Sequence, residues 1–249
     1  MDRAEATLPR MGILALLYQA DCGPGVFGEA ARARGIEVDE WLVPEGDGPP
    51  ADPAGYDAIF VFGGAMHSDQ EDGHPWLRTQ KGMVRKLFEA GTPILATCLG
   101  AQLLAEATGG SVRRMPDPEI GWFDVELTPE GLEDPVIAAL GPGFTAFNWH
   151  SYECVPPTAA TVLARSAACV QAFSVGERAW GIQFHAEVSG ASAENWIDDW
   201  DQDEDAVRIG LDPEALRART RERLPGWNQA GRRLCARFLD TIAIPANRA

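Results

Sequence analysis

Four short, largely apolar runs in the first half of the chain constrain its fold more than any other feature. They cover residues 12–18, 36–43, 58–62 and 93–97. Segments with apolar side chains at helical spacing, residues 26–34 and 77–88, lie between them. Apolar runs separated by helices are typical of parallel strands that are covered on both faces of a sheet. We therefore predict an α/β fold with a doubly wound, mostly parallel sheet and helices on both faces.

The pattern changes after Gly110. Five shorter strand-like segments follow, at residues 122–127, 144–155, 160–164, 170–175 and 179–184. Their close spacing by turns indicates a smaller antiparallel portion. Apolar residues at steps of three and four then predict two helices, at residues 213–224 and 227–242. Without a repeat or a clear linker, we predict one domain over residues 1–249, with a core at about 12–200 and C-terminal helices at about 201–245.

Composition limits the partners of the chain. With 45% hydrophobic and 23% charged residues among 249, it can bury one sizeable core. Its net charge of -16 repels phosphate backbones and anionic lipids, which argues against nucleic acid and membrane partners. We interpret the acidic run at residues 198–205 as a solvated face. No signal peptide or membrane-length apolar stretch is found, so we expect a cytoplasmic protein.

The cysteines favour a free thiol. There are five, at positions 22, 98, 154, 169 and 235. An odd, scattered set without CxxC spacing argues against a disulfide framework and against a zinc knuckle. At least one of them is therefore available for chemistry.

Cys98 lies where the fourth apolar run meets a segment rich in Leu and Ala. A residue at a strand-to-helix corner is held in a tight turn, which would expose its side chain above the sheet as in a nucleophile elbow. The dipole of the following helix favours the thiolate. On this motif alone, a buried and inert cysteine is about as plausible as a nucleophile.

His185 and Glu187 follow the last strand-like segment. Because side chains two apart in a strand share a face, both can point toward one site. A thiolate nucleophile needs an imidazole to carry its proton and a carboxylate to orient that imidazole. Cys98, His185 and Glu187 supply these three groups, whereas without Cys98 a strand-capping His185 and a solvated Glu187 would be the simpler interpretation.

An oxyanion hole is also required for acyl chemistry. The backbone N–H groups of Leu99, next to the cysteine, and of Gly64, in a turn after the third strand, are the candidate donors. Both leave the carboxyl edge of the predicted sheet, where open α/β folds place their sites. On its own, the Gly63–Gly64 pair is an ordinary turn signal.

Three motifs in this order and spacing resemble the class I glutamine amidotransferases. They are CLGAQ at residues 98–102, FHAE at residues 184–187 and GGA at residues 63–65. The likeness covers about residues 12–200 and is greatest to the single-domain branch similar to the glutaminase half of GMP synthase. It implies a flavodoxin-like fold and a Cys-His-Glu triad that hydrolyses glutamine through a γ-glutamyl thioester, with no cofactor.

The resemblance also assigns substrate-binding residues. Gln102, one helical turn after the nucleophile, matches a substrate-binding glutamine of the family. His150, Ser151 and Tyr152 match a stretch whose backbone holds the amino-acid head group. Tyr152 replaces the Asp that the family has in this stretch.

The sequence differs from the family pattern at four further positions, none of which carries a reacting group. Ala96 stands where the family usually has Gly, Ala65 and Ala186 where it often has Pro, and Ala101 where His is frequent. Each of them could alter the geometry of a turn, and therefore the rate.

Two further sets of residues have simpler interpretations. His67, Asp69, Asp72 and His74 crowd one loop. They are interpreted as a polar loop and not as a metal site, since a cysteine hydrolase needs no metal. Trp196 and Trp200, at helical spacing, are interpreted as packing residues.

Several functions remain open at this point. Ammonia could pass to a separate synthetase subunit, because the chain has no room for a synthetase domain and no Gly-rich phosphate loop. The chain could instead be an independent hydrolase of γ-glutamyl amides or peptides. A non-catalytic regulatory module and a cysteine peptidase of another flavodoxin-like family are the remaining alternatives.

Overall fold

A nine-stranded mixed sheet forms the centre of the protein in a computed structural model that describes residues 12–46 and 48–243. The strand order is β2-β1-β3-β4-β9-β8-β7-β5-β6. The strands are β1 Gly12–Leu17, β2 Glu37–Leu42, β3 Ala58–Val61, β4 Ile94–Thr97, β5 Ser111–Leu127, β6 Gly143–Val155, β7 Thr161–Arg165, β8 Val170–Val175 and β9 Ala179–Ile182. The helices are α1 Gly25–Arg32, α2 Trp76–Glu89, α3 Leu99–Ala107, α4 Pro129–Glu133, α5 Gly190–Asp198, α6 Glu204–Arg208 and α7 Pro213–Ala243.

The sheet is parallel on one side and antiparallel on the other. Strands β2, β1, β3, β4 and β9 run parallel, whereas β8, β7, β5 and β6 pair antiparallel. Each face carries a hydrophobic cluster, because alternate side chains of β1 point to opposite faces. The α/β class and the antiparallel portion predicted from the sequence are confirmed.

Helices cover both faces of the parallel strands. On one face, Phe60 of β3 packs between Phe27 of α1 and Phe238 of α7. On the other, residues of α2 and α3 such as Leu77 and Leu104 join the second cluster. Because β1, β3, β4 and β9 are parallel, their carboxyl ends meet at one edge of the sheet. Among the described residues, no helix is both long and apolar enough to cross a membrane.

Strand β5 begins eleven residues before the predicted segment, at Ser111 instead of Trp122. Pro116 and Pro118 lie inside it, and the register with β6 is interrupted between Arg114 and Glu119. Proline lacks the N–H that a strand donates to its neighbour, so the sequence signal of a strand is lost there. The prediction was wrong at this element for that reason.

The predicted pair of C-terminal helices is one continuous helix, α7, with Pro225 in its interior. Proline cannot donate the backbone hydrogen bond of a helix interior, so the sequence around Pro225 resembles a break between two helices. Burial of Leu224 and Trp227 on either side of it holds the helix against the rest of the protein. Tertiary packing thus outweighs the local break.

Helix α7 packs directly on the segment that follows β9. The indole N–H of Trp227 donates to the carbonyl of His185 over 2.8 Å. A Cβ at Gly231 would lie 2.0 Å from the carbonyl oxygen of Ala186, so only glycine permits this approach. The C-terminal helix therefore fixes the backbone of residues 185–187.

We expect Gly231→Ala to lower the free energy of unfolding by about 1–3 kcal/mol, because the added methyl group forces α7 away from Ala186. Gly226→Ala is the matched control on the same helix, where a Cβ would meet nothing within 4 Å. It should stabilise the protein by up to about 1 kcal/mol through helix propensity. Thermal and urea unfolding of both variants measure this, and equal effects would refute the packing argument.

Candidate active site

Cys98 is the only residue other than glycine with a positive φ among those that the structure describes. Its φ of 53° and ψ of -113° place it at the junction of β4 and α3, in backbone geometry that costs about 1–3 kcal/mol. Its N–H donates to the carbonyl of Ile182 on β9 over 2.8 Å. A Cβ at Gly100 would lie 2.1 Å from the carbonyl oxygen of Val61, so this glycine lets α3 begin directly against β3.

His185 and Glu187 form a buried pair beyond the end of β9. Nδ1 of His185 lies 2.8 Å from Oε1 of Glu187, and both residues are 2% exposed. This contact leaves Nε2 for Cys98, whose side chain is close enough to raise the pKa of the imidazole. The ring also meets the edge of Trp196, with the ring centroids 4.7 Å apart.

Charges around His185 determine its protonation. Desolvation by burial lowers the pKa of His185, but the negative charges of Glu187 and Cys98 and its hydrogen bonds to both outweigh this effect. The pKa of His185 is raised from 6.5 to about 10. The imidazolium is therefore the favoured form at neutral pH, paired with one carboxylate and one sulfur.

The sulfur is less accessible than the sequence suggested. Cys98 is 6% exposed, so the expectation of a side chain standing free above the sheet was wrong. A Cβ at Gly63 would come within 4.0 Å of Sγ of Cys98 and 3.1 Å of Cε1 of His185. The carbonyl oxygen of Trp149 lies 3.8 Å from Sγ. These two backbone segments cover the thiol.

Gly64 and Leu99, the residues of the two predicted oxyanion donors, lie close to each other. Leu99 is the first residue of α3, and its N–H has no acceptor within the helix because of its position. A Cβ at Gly64 would lie 3.6 Å from Cδ2 of Leu99. The neighbouring N–H of Ala65 donates to Oε1 of Gln19, which holds the glycine turn in place.

Gln102 lies on α3 one turn after Cys98 and is 3% exposed. Within the described part of the chain, no donor reaches its Oε1 atom. A buried acceptor without a partner costs about 1–3 kcal/mol, which a bound donor group would recover. The Oε1 atom of Gln102 is thus a buried acceptor that the described residues leave unpaired.

Ser151 and Tyr152 connect strand β6 to helix α6 and to a neighbouring loop. The side chain of Ser151 hydrogen-bonds to Asp205. The hydroxyl of Tyr152 donates to Asp69 over 3.1 Å, and its ring stacks on His67. His67 and Asp69 of the polar loop thus pack on Tyr152. In the same loop, His74 contacts Trp76 instead.

His150 lies inside the protein and not on the surface of a pocket. Its Nδ1 is 2.9 Å from the carbonyl oxygen of Tyr152, and its Nε2 is 3.1 Å from Oε2 of Glu119. The thiol of Cys169 and the amides of Asn148 and Gln171 donate to the same carboxylate oxygen. Both ring nitrogens of His150 are therefore engaged within the protein.

A second Cys-His-Glu group thus exists, in addition to Cys98, His185 and Glu187. The ligand atoms of Glu119, His150 and Cys169 lie within 4.8 Å of one another. Burial and the charge of Glu119 raise the pKa of Cys169 to about 12. Hydrogen bonds that converge on the carboxylate hold this group together.

The acidic run is only partly a solvated face. Asp203 accepts a hydrogen bond from the indole of Trp149 over 2.8 Å and caps α6. Asp205 is 5% exposed and accepts from Arg114 and Arg208. Burial raises the pKa of Asp205, but the hydrogen bonds from Ser151 and Arg208 and the charges of the two arginines lower it overall. The expectation of solvation was wrong for these two residues, because partners distant in sequence bind them.

Sequence reasoning also missed Gln19, Glu119 and Trp227, each of which supports the site through a hydrogen bond. None of them belongs to a recognisable motif. Trp196 was interpreted as a packing residue, and it does pack on Phe147 and His185.

Comparison with known proteins identifies the family. The model of the glutamine amidotransferase class I family matches residues 29–199, so the chain belongs to this family. A putative glutamine amidotransferase-like protein, YfeJ, of Salmonella typhimurium is 29% identical over 224 residues, which are 88% of this chain and 92% of the relative. The glutamine-hydrolysing GMP synthase subunit of Sulfurisphaera tokodaii is 35% identical over 136 residues, 53% of this chain and 68% of the relative.

Solved structures share the fold. A glutamine amidotransferase of Thermotoga maritima superposes with a TM-score of 0.83 at 24% identity, covering 93% of this chain and 99% of the other. A glutamine amidotransferase of Methylobacillus flagellatus gives a TM-score of 0.80 at 24% identity, covering 98% and 99%. The predicted resemblance and fold class are confirmed.

We expect a glutamine-mimicking electrophile such as a diazo-ketone to alkylate Cys98 in preference to the other cysteines. Burial raises the pKa of Cys22 and Cys154 well above their ordinary value, and that of Cys169 and Cys235 to about 12, so these four stay thiols at neutral pH. Peptide mass spectrometry after labelling at pH 7 measures the distribution. Labelling spread over all five would contradict an activated thiol at Cys98.

Proposed function

We propose that the protein hydrolyses a γ-glutamyl amide, with Cys98 as nucleophile, His185 as general acid and base, and Glu187 as its orienting partner. One observation carries this proposal: a buried His185 lies with Nδ1 2.8 Å from Oε1 of Glu187 and close to Cys98, which occupies a strained turn. This is the charge arrangement that thiolate chemistry requires. Membership in the class I family supports it.

The reaction divides into two steps. The Cys98 sulfur attacks the γ-carbonyl carbon of the substrate, and the N–H groups of Gly64 and Leu99 stabilise the oxyanion. His185 gives its proton to the departing nitrogen as the C–N bond breaks, which leaves a γ-glutamyl thioester and releases ammonia or an amine. His185 then removes a proton from water, which attacks the thioester and yields glutamate and the free thiol.

The surrounding residues would hold the amino-acid part of the substrate. The free acceptor Oε1 of Gln102 suits a donor such as the ammonium group of the glutamyl moiety. The backbone of residues 150–152 lies beside Trp149, whose carbonyl oxygen is 3.8 Å from the nucleophile. We propose that this segment binds the head group through its backbone, with the ring of His150 serving inside the protein.

The second Cys-His-Glu group does not suit the same chemistry. Both nitrogens of His150 are occupied, by Tyr152 and Glu119, so neither can accept a proton from Cys169. The raised pKa of Cys169 also keeps it a thiol at neutral pH. These contacts favour the group at Cys98 as the reaction centre.

The substrate and the fate of the nitrogen define two versions of this proposal. In the first, the substrate is glutamine, and the ammonia passes to a separate synthetase subunit, as the similarity to a GMP synthase subunit suggests. In the second, the chain acts alone on γ-glutamyl peptides or conjugates. The single domain and the cytoplasmic location remain predictions. Turnover of glutamine against a panel of γ-glutamyl peptides separates the two versions, and turnover of peptides with glutamine ignored would remove the first.

We expect Cys98→Ser to lower release of ammonia or amine by at least about a thousandfold, because the hydroxyl is a far weaker nucleophile in this setting. Cys235→Ser is the matched control, since its buried sulfur hydrogen-bonds to the carbonyl of Phe27, which a serine hydroxyl can also bond. A coupled glutamate dehydrogenase assay and a thermal unfolding curve measure activity and folding. An undiminished rate in folded Cys98→Ser would remove the nucleophile assignment and favour a regulatory module.

We expect the alkaline limb of the rate profile to reflect His185, whose acid form is lost as the pH rises through its pKa of about 10. Glu187→Gln removes a negative charge that raises this pKa, so the limb should move to lower pH. The rate should also fall on the order of a hundredfold or more, as the imidazole loses its orienting partner. Rate profiles from about pH 6 to 11 test this, and an alkaline limb that stays in place would contradict the role of Glu187.

A further inference from the structure

The ladder between β5 and β6 is interrupted beside the nucleophile. Arg114 pairs with Tyr152 and Glu119 pairs with His150, so residues 115–118 stand opposite Ser151 alone. Two of those four residues are prolines, Pro116 and Pro118, which have no N–H to donate. The backbone of β6 is therefore not held by a regular ladder at Ser151.

A side-chain contact takes the place of the missing ladder. Nδ1 of His150 lies 2.9 Å from the carbonyl oxygen of Tyr152, across Ser151. This hydrogen bond spans the interrupted part of β6 from within the same strand. It fixes the backbone only while Nδ1 carries a proton and the ring keeps its orientation.

Glu119 holds the imidazole of His150 in this orientation. Its Oε2 lies 3.1 Å from Nε2 of His150, and the two residues are each 4% exposed. Both ring nitrogens therefore face an oxygen atom, and the contact at Nε2 fixes the ring orientation that the contact at Nδ1 needs. Burial raises the pKa of Glu119, but the hydrogen bond and charge of His150 lower it overall.

Three further hydrogen-bond donors face the Glu119 oxygen that contacts His150. The amides of Asn148 and Gln171 and the thiol of Cys169 all donate to Oε2 of Glu119. An amide NH₂ in its place would meet other donors, so the contact with His150 requires an acceptor there. Four side chains, including that of His150, thus converge on one oxygen at position 119, and an amide oxygen accepts such hydrogen bonds more weakly than a carboxylate does.

The segment that this contact holds reaches the nucleophile. The carbonyl oxygen of Trp149 lies 3.8 Å from Sγ of Cys98. Asp203 binds the indole of Trp149, and Asp205 binds the hydroxyl of Ser151, so the side chains of the segment are held from outside. The contact between Glu119 and His150 holds it from inside.

We propose that Glu119 is a positioning residue for substrate binding, which acts through His150 to fix the backbone of residues 149–152 against the glutamyl head group. This inference rests on the proposed function. It predicts an effect on binding of the head group that is separate from the reactivity of the sulfur.

The test compares Glu119→Gln with Glu153→Gln in the full chain. Glu153 is a carboxylate on the adjacent strand β6 whose partner is Arg113 at the surface, so its loss should leave KM unchanged. We expect Glu119→Gln to raise KM for the γ-glutamyl substrate by at least about tenfold, with a smaller change in kcat. Alkylation of Cys98 by iodoacetamide, which has no head group, should keep its wild-type rate.

Two further measurements test whether Glu119 acts through His150 and whether it fixes the backbone. If Glu119 acts through His150, the KM of the double variant Glu119→Gln/His150→Gln should be no higher than that of the single variant with the higher KM. Hydrogen exchange of the peptide covering residues 148–153 should be faster in Glu119→Gln than in wild type. If Glu119→Gln does not fold, His150→Gln carries the same expectations, because one amide group cannot bond both Glu119 and the Tyr152 carbonyl in place of the ring.

The outcomes separate this inference from the proposed function. An unchanged KM in Glu119→Gln, or an equal loss of kcat and of iodoacetamide reactivity, would overturn the positioning role while the triad stands. A wild-type protein that turns over no γ-glutamyl compound would remove the proposed function instead. In that case hydrogen exchange still tests the inference. If Glu119→Gln leaves the exchange of residues 148–153 as it is in wild type, the positioning role is overturned.

Discussion

The strained turn at Cys98 determines where the other groups of the site lie. Its N–H is bonded to Ile182 at the end of β9, three residues before His185. Gly100, two residues later, packs against the carbonyl of Val61 at the end of β3, just before the Gly63–Gly64 turn. One turn therefore joins three parallel strands, and a backbone cost of about 1–3 kcal/mol is offset by the packing of those strands. Cys98, His185 and the Gly63–Gly64 turn converge because the strands end together.

The two Cys-His-Glu groups in this chain differ in the contacts that their imidazoles make. At His185, one ring nitrogen meets Glu187 and the other remains for Cys98, so a proton can move. At His150, a backbone carbonyl and a carboxylate engage both nitrogens, so the ring can only hold its neighbours in place. The first arrangement suits catalysis and the second suits positioning, and both depend on which acceptor faces each nitrogen.

Much of this could be predicted from the sequence, for identifiable reasons. Apolar runs separated by helices indicated the parallel sheet, and residues that follow such strands must meet at its carboxyl edge. This reasoning placed Cys98, His185 and the glycine turn together, as the structure does. It failed at β5 and α7, where Pro116 and Pro225 hid elements that tertiary packing stabilises. Glu119 and Trp227 could not be found, because each acts through contacts with residues far away in the chain.

Identification of the residue that carries the acyl intermediate tests this mechanism most directly. The protein should be quenched in acid during turnover of a γ-glutamyl substrate, digested and analysed by mass spectrometry. We predict a γ-glutamyl group on the peptide that contains Cys98 and on no other cysteine. An adduct on Cys169, or steady turnover without any acylated cysteine, would contradict it.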